Sequence, residues 1–380
     1  MSGNPVAYLD HAATTPMRPG ALAAMVEVLG SVHANPAGGH RPARAARQLV
    51  DEARERVAGL LGVRPDEVVF TSGGTESDNH AIVGSVGTRP GVAVCPMVEH
   101  HAVLDPVEHV GGRTVAVDGH GRVDLDALEV VLRREPVSVV SVMTVNNEVG
   151  TVTDLGAVSE VVRRLAPDAW LHTDAVQAAS WVDLRTVTPL VDMVSLSAHK
   201  FGGPKGCGIL VLRRGTTPRA LLRGGGQERG HRSGTVDVAS VVATSTALAE
   251  TDGGRFGEVT RVADLRDRLV AGLLAVDGVR LTVPTSETVP GVVHVCVDGV
   301  ENEAALFLLD AADVSASAAS ACASGAMEPS HVLAAMGIDR RTASGALRFS
   351  LGHTTTVAEI DHAIGAVHDV VGRLRRGSPR

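Results

Sequence analysis

Between about Glu67 and Val211 the chain alternates short apolar runs (EVVF, VAVCP, VVSVMTV, WLHTD, VDMVSLS, GILVL) with segments of helical period, and few architectures accept that alternation. It implies a mainly parallel central sheet covered by helices, an α/β lobe. Beyond the Gly-rich stretches GGGQERG and TDGGRFG, an amphipathic segment (VTRVADLRDRLVAGLLA) leads to GVRLTV, GVVHVCVDG and two further helical runs. That second pattern reads as a smaller α+β lobe starting near residue 253. The expected division is a large domain over 16–252 and a small one built from 1–15 and 253–380. With 380 residues, the chain is long enough to bury a large core.

A net charge of -8 and a pI near 6.0 argue against a surface built to neutralise phosphate backbones, so no direct nucleic-acid binding is expected. No apolar stretch is long enough to span a membrane, and the N-terminus has no signal-peptide pattern, so a soluble cytoplasmic protein is expected. Cys95, Cys207, Cys296 and Cys322 are far apart and form no CxxC pair. Neither a disulfide framework nor a zinc cage follows, which fits a reducing compartment.

Of the 35 basic residues only Lys200 and Lys205 are lysines, so any lysine chemistry must use one of them. In SLSAHKFGGPKG, Lys200 stands at a strand exit, where open α/β sheets bind ligands, although a lysine on a loop is the ordinary alternative. Lys205, between Pro204 and Gly206, reads as a structural or rim charge. The strand WLHTDAVQAAS delivers Asp174 and Gln177 just past its apolar part. A pyridoxal phosphate site needs those types, a carboxylate for the pyridinium nitrogen and a donor near the phenolic oxygen. A helix-capping Asp followed by a surface Gln is the competing reading.

FTSGGTESDNHAIVG places Gly73, Gly74 and Thr75 between a strand and a helix, where free N–H groups and the helix dipole suit a phosphate. No GxxxxGK[ST] loop competes for that role. In MVEHHAVLDP, one of His100 and His101 could lie over a cofactor ring; metal binding is the rival reading, but neither HExxH nor a cysteine pair accompanies them. Cys95, Cys207 and Cys296 lie in or beside apolar β runs and read as core. Cys322 sits in an Ala/Ser/Gly-rich stretch expected to be a mobile loop, a setting suited to a reactive thiol.

Together these pieces resemble the cysteine desulfurase family, in the class V aminotransferase group of fold type I pyridoxal-phosphate enzymes. YLDHAATTP, FTSGGTESDN, EHHAVLD, VNNEVG, HTDAVQ, SAHKFGGPKG, GGGQERGHRSGT, SACASG with MEPSHVL, and LRFSLG occur here in the family's order, across almost the whole chain. The resemblance implies that Lys200 carries the coenzyme, Asp174 faces its pyridine nitrogen, and Gln177 with Asn147 flanks its phenolic oxygen. It implies His100 stacked on the ring, and phosphate contacts from Gly74, Thr75, Ser197 and His199, with Thr235 reaching across from the second subunit of a homodimer. Arg348 would hold the carboxylate of L-cysteine, assisted by Asn35, and Cys322 would take the sulfur as a persulfide for an acceptor protein.

The sequence does not distinguish among an iron–sulfur scaffold, a tRNA-thiolation enzyme, DNA phosphorothioation machinery and a cofactor pathway as that acceptor. The chain departs from common family forms at Ala198, Ala319, Ala323 and His353, the last standing where Arg is usual. The alternatives are a selenocysteine lyase or other class V lyase or aminotransferase, the last of which needs no mobile thiol such as Cys322, and a non-enzymatic scaffold, which predicts a lost lysine or a lost reactive thiol, whereas Lys200 and Cys322 are both present.

Overall fold

The computed structural model describes residues 6–318 and 330–377. Twelve strands can be named among them: β1 Ala7–Tyr8, β2 Val68–Thr71, β3 Val92–Pro96, β4 Arg113–Val115, β5 Val137–Ser141, β6 Trp170–Asp174, β7 Met193–Ser197, β8 Gly208–Leu212, β9 Val279–Leu281, β10 Val292–Val297, β11 Val314–Ser315 and β12 Ala346–Ser350. Seven form the central sheet in the order β2-β8-β7-β6-β5-β3-β4. Only β8 runs antiparallel to its neighbours, so the mainly parallel sheet expected from the sequence is the one the chain builds.

Strands β5, β6, β7 and β8 are buried along their whole length, so apolar residues fall on both faces of the sheet, and buried polar residues such as His172 and Ser195 hydrogen-bond to each other. Helix Gly74–Val86 packs across four of these strands on one face. The apolar-run pattern misses β4, an edge strand whose Arg113 and Thr114 are exposed and carry no hydrophobic signal.

A second, antiparallel sheet runs β12-β10-β9. Its core unites Val293, Val295 and Phe349 with Leu265, Leu269 and Ile360 from helices. The N-terminal segment lies beside it: β1 and β11 form a separate two-stranded parallel sheet, and Asp10 bridges to Ser350 of β12. Residues 9–15 then pass toward β7's exit, where Thr15 N–H donates to the His199 carbonyl.

One expectation is corrected. The reading that starts a helix after TDGGRFG is wrong, because that stretch lies inside a continuous 37-residue helix, Val238–Leu274, which the expected 252/253 division therefore cuts. Both ends are anchored: Val241, Ala247 and Leu248 join the large core, and Val262, Leu265 and Leu269 join the second. Between them Thr251 Oγ1 donates to the Phe201 carbonyl at 2.9 Å, and Arg255 pairs with Asp252. Tertiary anchoring of this kind outweighs the roughly 1 kcal/mol that each glycine costs a helix.

At Gly253 and Gly257 an added Cβ would meet no atom within 4 Å. Replacing both by Ala should therefore raise stability by roughly 1–2 kcal/mol, read as a higher urea midpoint. A loop at these glycines would show no such gain.

Candidate active site

The C-terminal ends of β6 and β7 open into a cavity of about 330 Å³. It brings together Gly74, Thr75, His100, Asn147, Asp174, Gln177, Ser197, His199, Lys200 and Arg348, all singled out from the sequence. Thr235 is exposed, and Asn35 lines a separate cavity of about 250 Å³ with Gln227 and Val236, so one chain does not bring either to this site. Cys322 lies outside the described residues.

Lys200 ends the short turn Ala198–Lys200 that follows β7. Its Nζ donates to the carbonyls of Ala12 at 2.5 Å and Ala13 at 3.0 Å, so the N-terminal segment aims the amine into the cavity. Burial, followed by the nearby Arg348 cation, pulls its pKa down to about 8. Asp174 closes β6, and its Oδ1 accepts the Val176 N–H at 2.8 Å. Burial raises this carboxyl to about 6, opposed by that N–H and by Lys200.

His100 caps helix His101–His109, its Nδ1 accepting the Ala102 N–H at 3.0 Å. That bond leaves the ring proton on Nε2, free to be given. Desolvation by the surrounding walls, then the Lys200 charge, brings the ring's pKa down to about 4 and keeps it neutral. His101 instead turns outward to pair with Asp105. Gln177 Nε2 donates to the same Ala12 carbonyl that Lys200 uses, at 2.8 Å.

Arg348 projects from β12, where Nη1 donates to the Asn147 carbonyl at 2.7 Å and Nη2 to Asp10 Oδ1 at 2.8 Å. Sequence reasoning passed over Asp10, although it stands inside YLDHAATTP, and Asp78, which lies one helical turn after Gly74 and faces the cavity. Asp78 is 1% exposed, and burial, then the charge of Asp174, lifts its carboxyl well above the usual range.

The donor set fits pyridoxal phosphate. Two buried side-chain atoms without a hydrogen-bond partner, Asn147 Oδ1 and Arg348 Nε, belong to residues lining this cavity, as suits a place for a polar ligand, while Asp78 Oδ1 lies 3.6 Å from His172 Nε2. Helix Gly74–Val86 begins at the cavity wall, and a Cβ on Gly74 would sit 2.7 Å from Val176 Cγ2. Glycine thus lets the positive helix end approach the strand exit. By contrast, Cys95, Cys207 and Cys296 are buried in core packing, and burial raises all three thiols, Cys207 to about 11.

The chain is similar to known proteins along nearly its whole length. The family described as Aminotransferase class-V matches residues 7–362. An IscS-like cysteine desulfurase of Mycobacterium tuberculosis is 43% identical, the match covering 98% of each chain. A solved structure named NifS-like protein superposes with a TM-score of 0.89 at 33% identity, over 96% of this chain and 99% of the other. A structure of SspA in complex with cysteine superposes with a TM-score of 0.79 at 28% identity, over 90% and 98%.

The neutral form of Lys200 grows as pH rises through about 8. Reductive alkylation of the apoprotein by a small aldehyde, mapped to this residue by mass spectrometry, should rise over the same window. Arg348→Gln removes a cation that lowers this pKa, so the midpoint should move to higher pH.

Proposed function

The chain belongs to the class-V aminotransferase family as a cysteine desulfurase with a type I pyridoxal-phosphate-enzyme fold, and we propose how its own residues divide that work. Pyridoxal phosphate, when bound, would supply the electron sink that makes the Cα proton of cysteine removable. Lys200 would hold it, Asp174 would keep its ring nitrogen charged, and Gln177 and Asn147 would flank its phenolic oxygen. His100 would lie against the ring. Gly74, Thr75, Ser197 and His199 would hold the phosphate, with Thr235 from the second subunit of a homodimer. Thr235 and Asn35 belong to one face, since Asn35 shares a cavity with Val236, and that face would form the subunit contact.

Arg348, fixed by Asp10 and the Asn147 carbonyl, would hold the substrate carboxylate. Lys200, with a pKa near 8, can both take and return a proton near neutrality. His100, neutral and with a proton on Nε2, can serve the substrate thiol. The Cys322 thiolate would then attack the substrate's sulfur: the Cβ–S bond breaks, an S–S bond forms, and alanine leaves. Cysteine plus a thiol becomes alanine plus a persulfide, with no external oxidant. The persulfide would pass to an acceptor protein of iron–sulfur assembly, tRNA thiolation or DNA phosphorothioation. No helix among the described residues is long and apolar enough to cross a membrane, and we place this work in the cytoplasm.

The observation that carries the proposal is the meeting of Lys200, Asp174, His100 and Arg348 around one cavity. The cysteine desulfurase names of the relatives do not favour the selenocysteine lyase alternative. Alanine formation from L-cysteine tests the assignment. Lys200→Ala should lower it by at least about 10²–10⁴-fold, the scale of a lost general base. Cys322→Ser should keep the coenzyme's visible absorbance yet abolish sulfide release. Sulfide release at the wild-type rate from this variant would contradict the role of Cys322.

A further inference from the structure

Lys200 borders a second, smaller cavity as well as the coenzyme cavity. Its volume is about 20 Å³, and its walls include His11, Thr15, Glu258 and His353. A polar space above roughly 10–15 Å³ holds one water. Three of these residues form a hydrogen-bonded row. His11 Nδ1 is 2.7 Å from Thr15 Oγ1, and Thr15 Oγ1 is 3.4 Å from His353 Nδ1. The far side of His11 is fixed, with Nε2 at 3.2 Å from Thr355 Oγ1. His11 and Thr15 are buried, whereas His353 and Glu258 are half-buried, so the row leads from the interior toward solvent.

The chemistry of the contacts separates this path from the rest of Lys200's surroundings. The carbonyls of Ala12 and Ala13 accept hydrogen bonds from Nζ but cannot pass a proton onward. An imidazole takes a proton on one nitrogen and gives one from the other, and a hydroxyl does both on one oxygen. Burial is the main cause that lowers both rings, His11 to about 4, and Arg18 is the next cause for His353, so burial favours the neutral, accepting form of each. Glu258 is engaged by both terminal nitrogens of Arg18, each at 2.8 Å, and Arg261 holds the His353 carbonyl at 3.0 Å. These pairs fix the walls and leave the exchange to the rings and the hydroxyl.

We propose that His11, Thr15 and His353, with a water in the small cavity, exchange the proton on Lys200's amine with solvent during turnover. The proposal rests on the reading of Lys200 as the base that takes the substrate's Cα proton. That proton leaves carbon for Nζ, and Nζ then gives a proton to the row and receives one back. Alanine gains one hydrogen at Cα and one at Cβ, and no oxidant or reductant is involved. His11, Thr15 and His353 are positioning residues, since they act on the reaction through Lys200.

The test gives the holoenzyme L-cysteine carrying deuterium at Cα, with dithiothreitol to clear Cys322, and measures deuterium in the alanine by mass spectrometry. Wild type should wash most of the label out. Thr15→Val and His353→Leu should retain several-fold more, because the label then returns from Lys200 before it exchanges, and Thr15→Ser should restore the wild-type value. Should Thr15→Val not fold, the half-buried His353→Leu decides alone. Alanine formed with wild-type label content in the variants overturns the relay. Absence of alanine from the wild type overturns the desulfurase reading instead.

Discussion

Holding an amine charge in a desolvated cleft, beside a carboxylate and an arginine, is the constraint that organises this molecule. An ammonium among apolar strands would be expensive without partners. The chain supplies them from distant parts: the Ala12 and Ala13 carbonyls come from the N-terminal segment, Asp174 from β6, and Arg348 from the second sheet. Lys200 is accordingly poised near 8, where its two protonation states are both accessible at working pH. The opposing shifts of Lys200 and Asp174 share burial as their main cause, so dryness of the site tunes the base and the carboxylate together.

The second sheet serves this site as well as its own core. Arg348 and Ser350 alternate with apolar Leu347 and Phe349 along β12, so one face builds the core and the other meets the cavity and the N-terminal segment. The ion pair from Arg348 to Asp10 ties that sheet to the segment that directs Lys200. The long helix Val238–Leu274, packed in both cores, holds the two sheets in fixed relation.

Much of this was legible in the residues. Short, largely apolar runs announced β5, β7 and β8, because strands buried on both faces need not alternate, and Trp170 and Leu171 marked β6 ahead of its polar end. Scarcity made Lys200 conspicuous, and the glycines before Thr75 marked a helix start. Local signals failed where distant contacts decide. The glycines of TDGGRFG read as a break, yet packing at both ends carries the helix through them. Edge strand β4 has too few apolar residues to be seen. Asp78 and Asp10 look like ordinary polar residues, and only the tertiary fold shows one buried in the cavity wall and the other clamping Arg348.

The account's central claim is that the amine of Lys200 enables sulfur to move from cysteine to one thiol of this chain. Incubating the coenzyme-loaded protein with L-cysteine, without added reductant, and mapping the mass gain by peptide analysis tests it most directly. The account requires one added sulfur atom on Cys322 in the wild type and none in Lys200→Ala. Sulfur found on Cys95, Cys207 or Cys296 instead, or equal loading of Cys322 without Lys200, would contradict it.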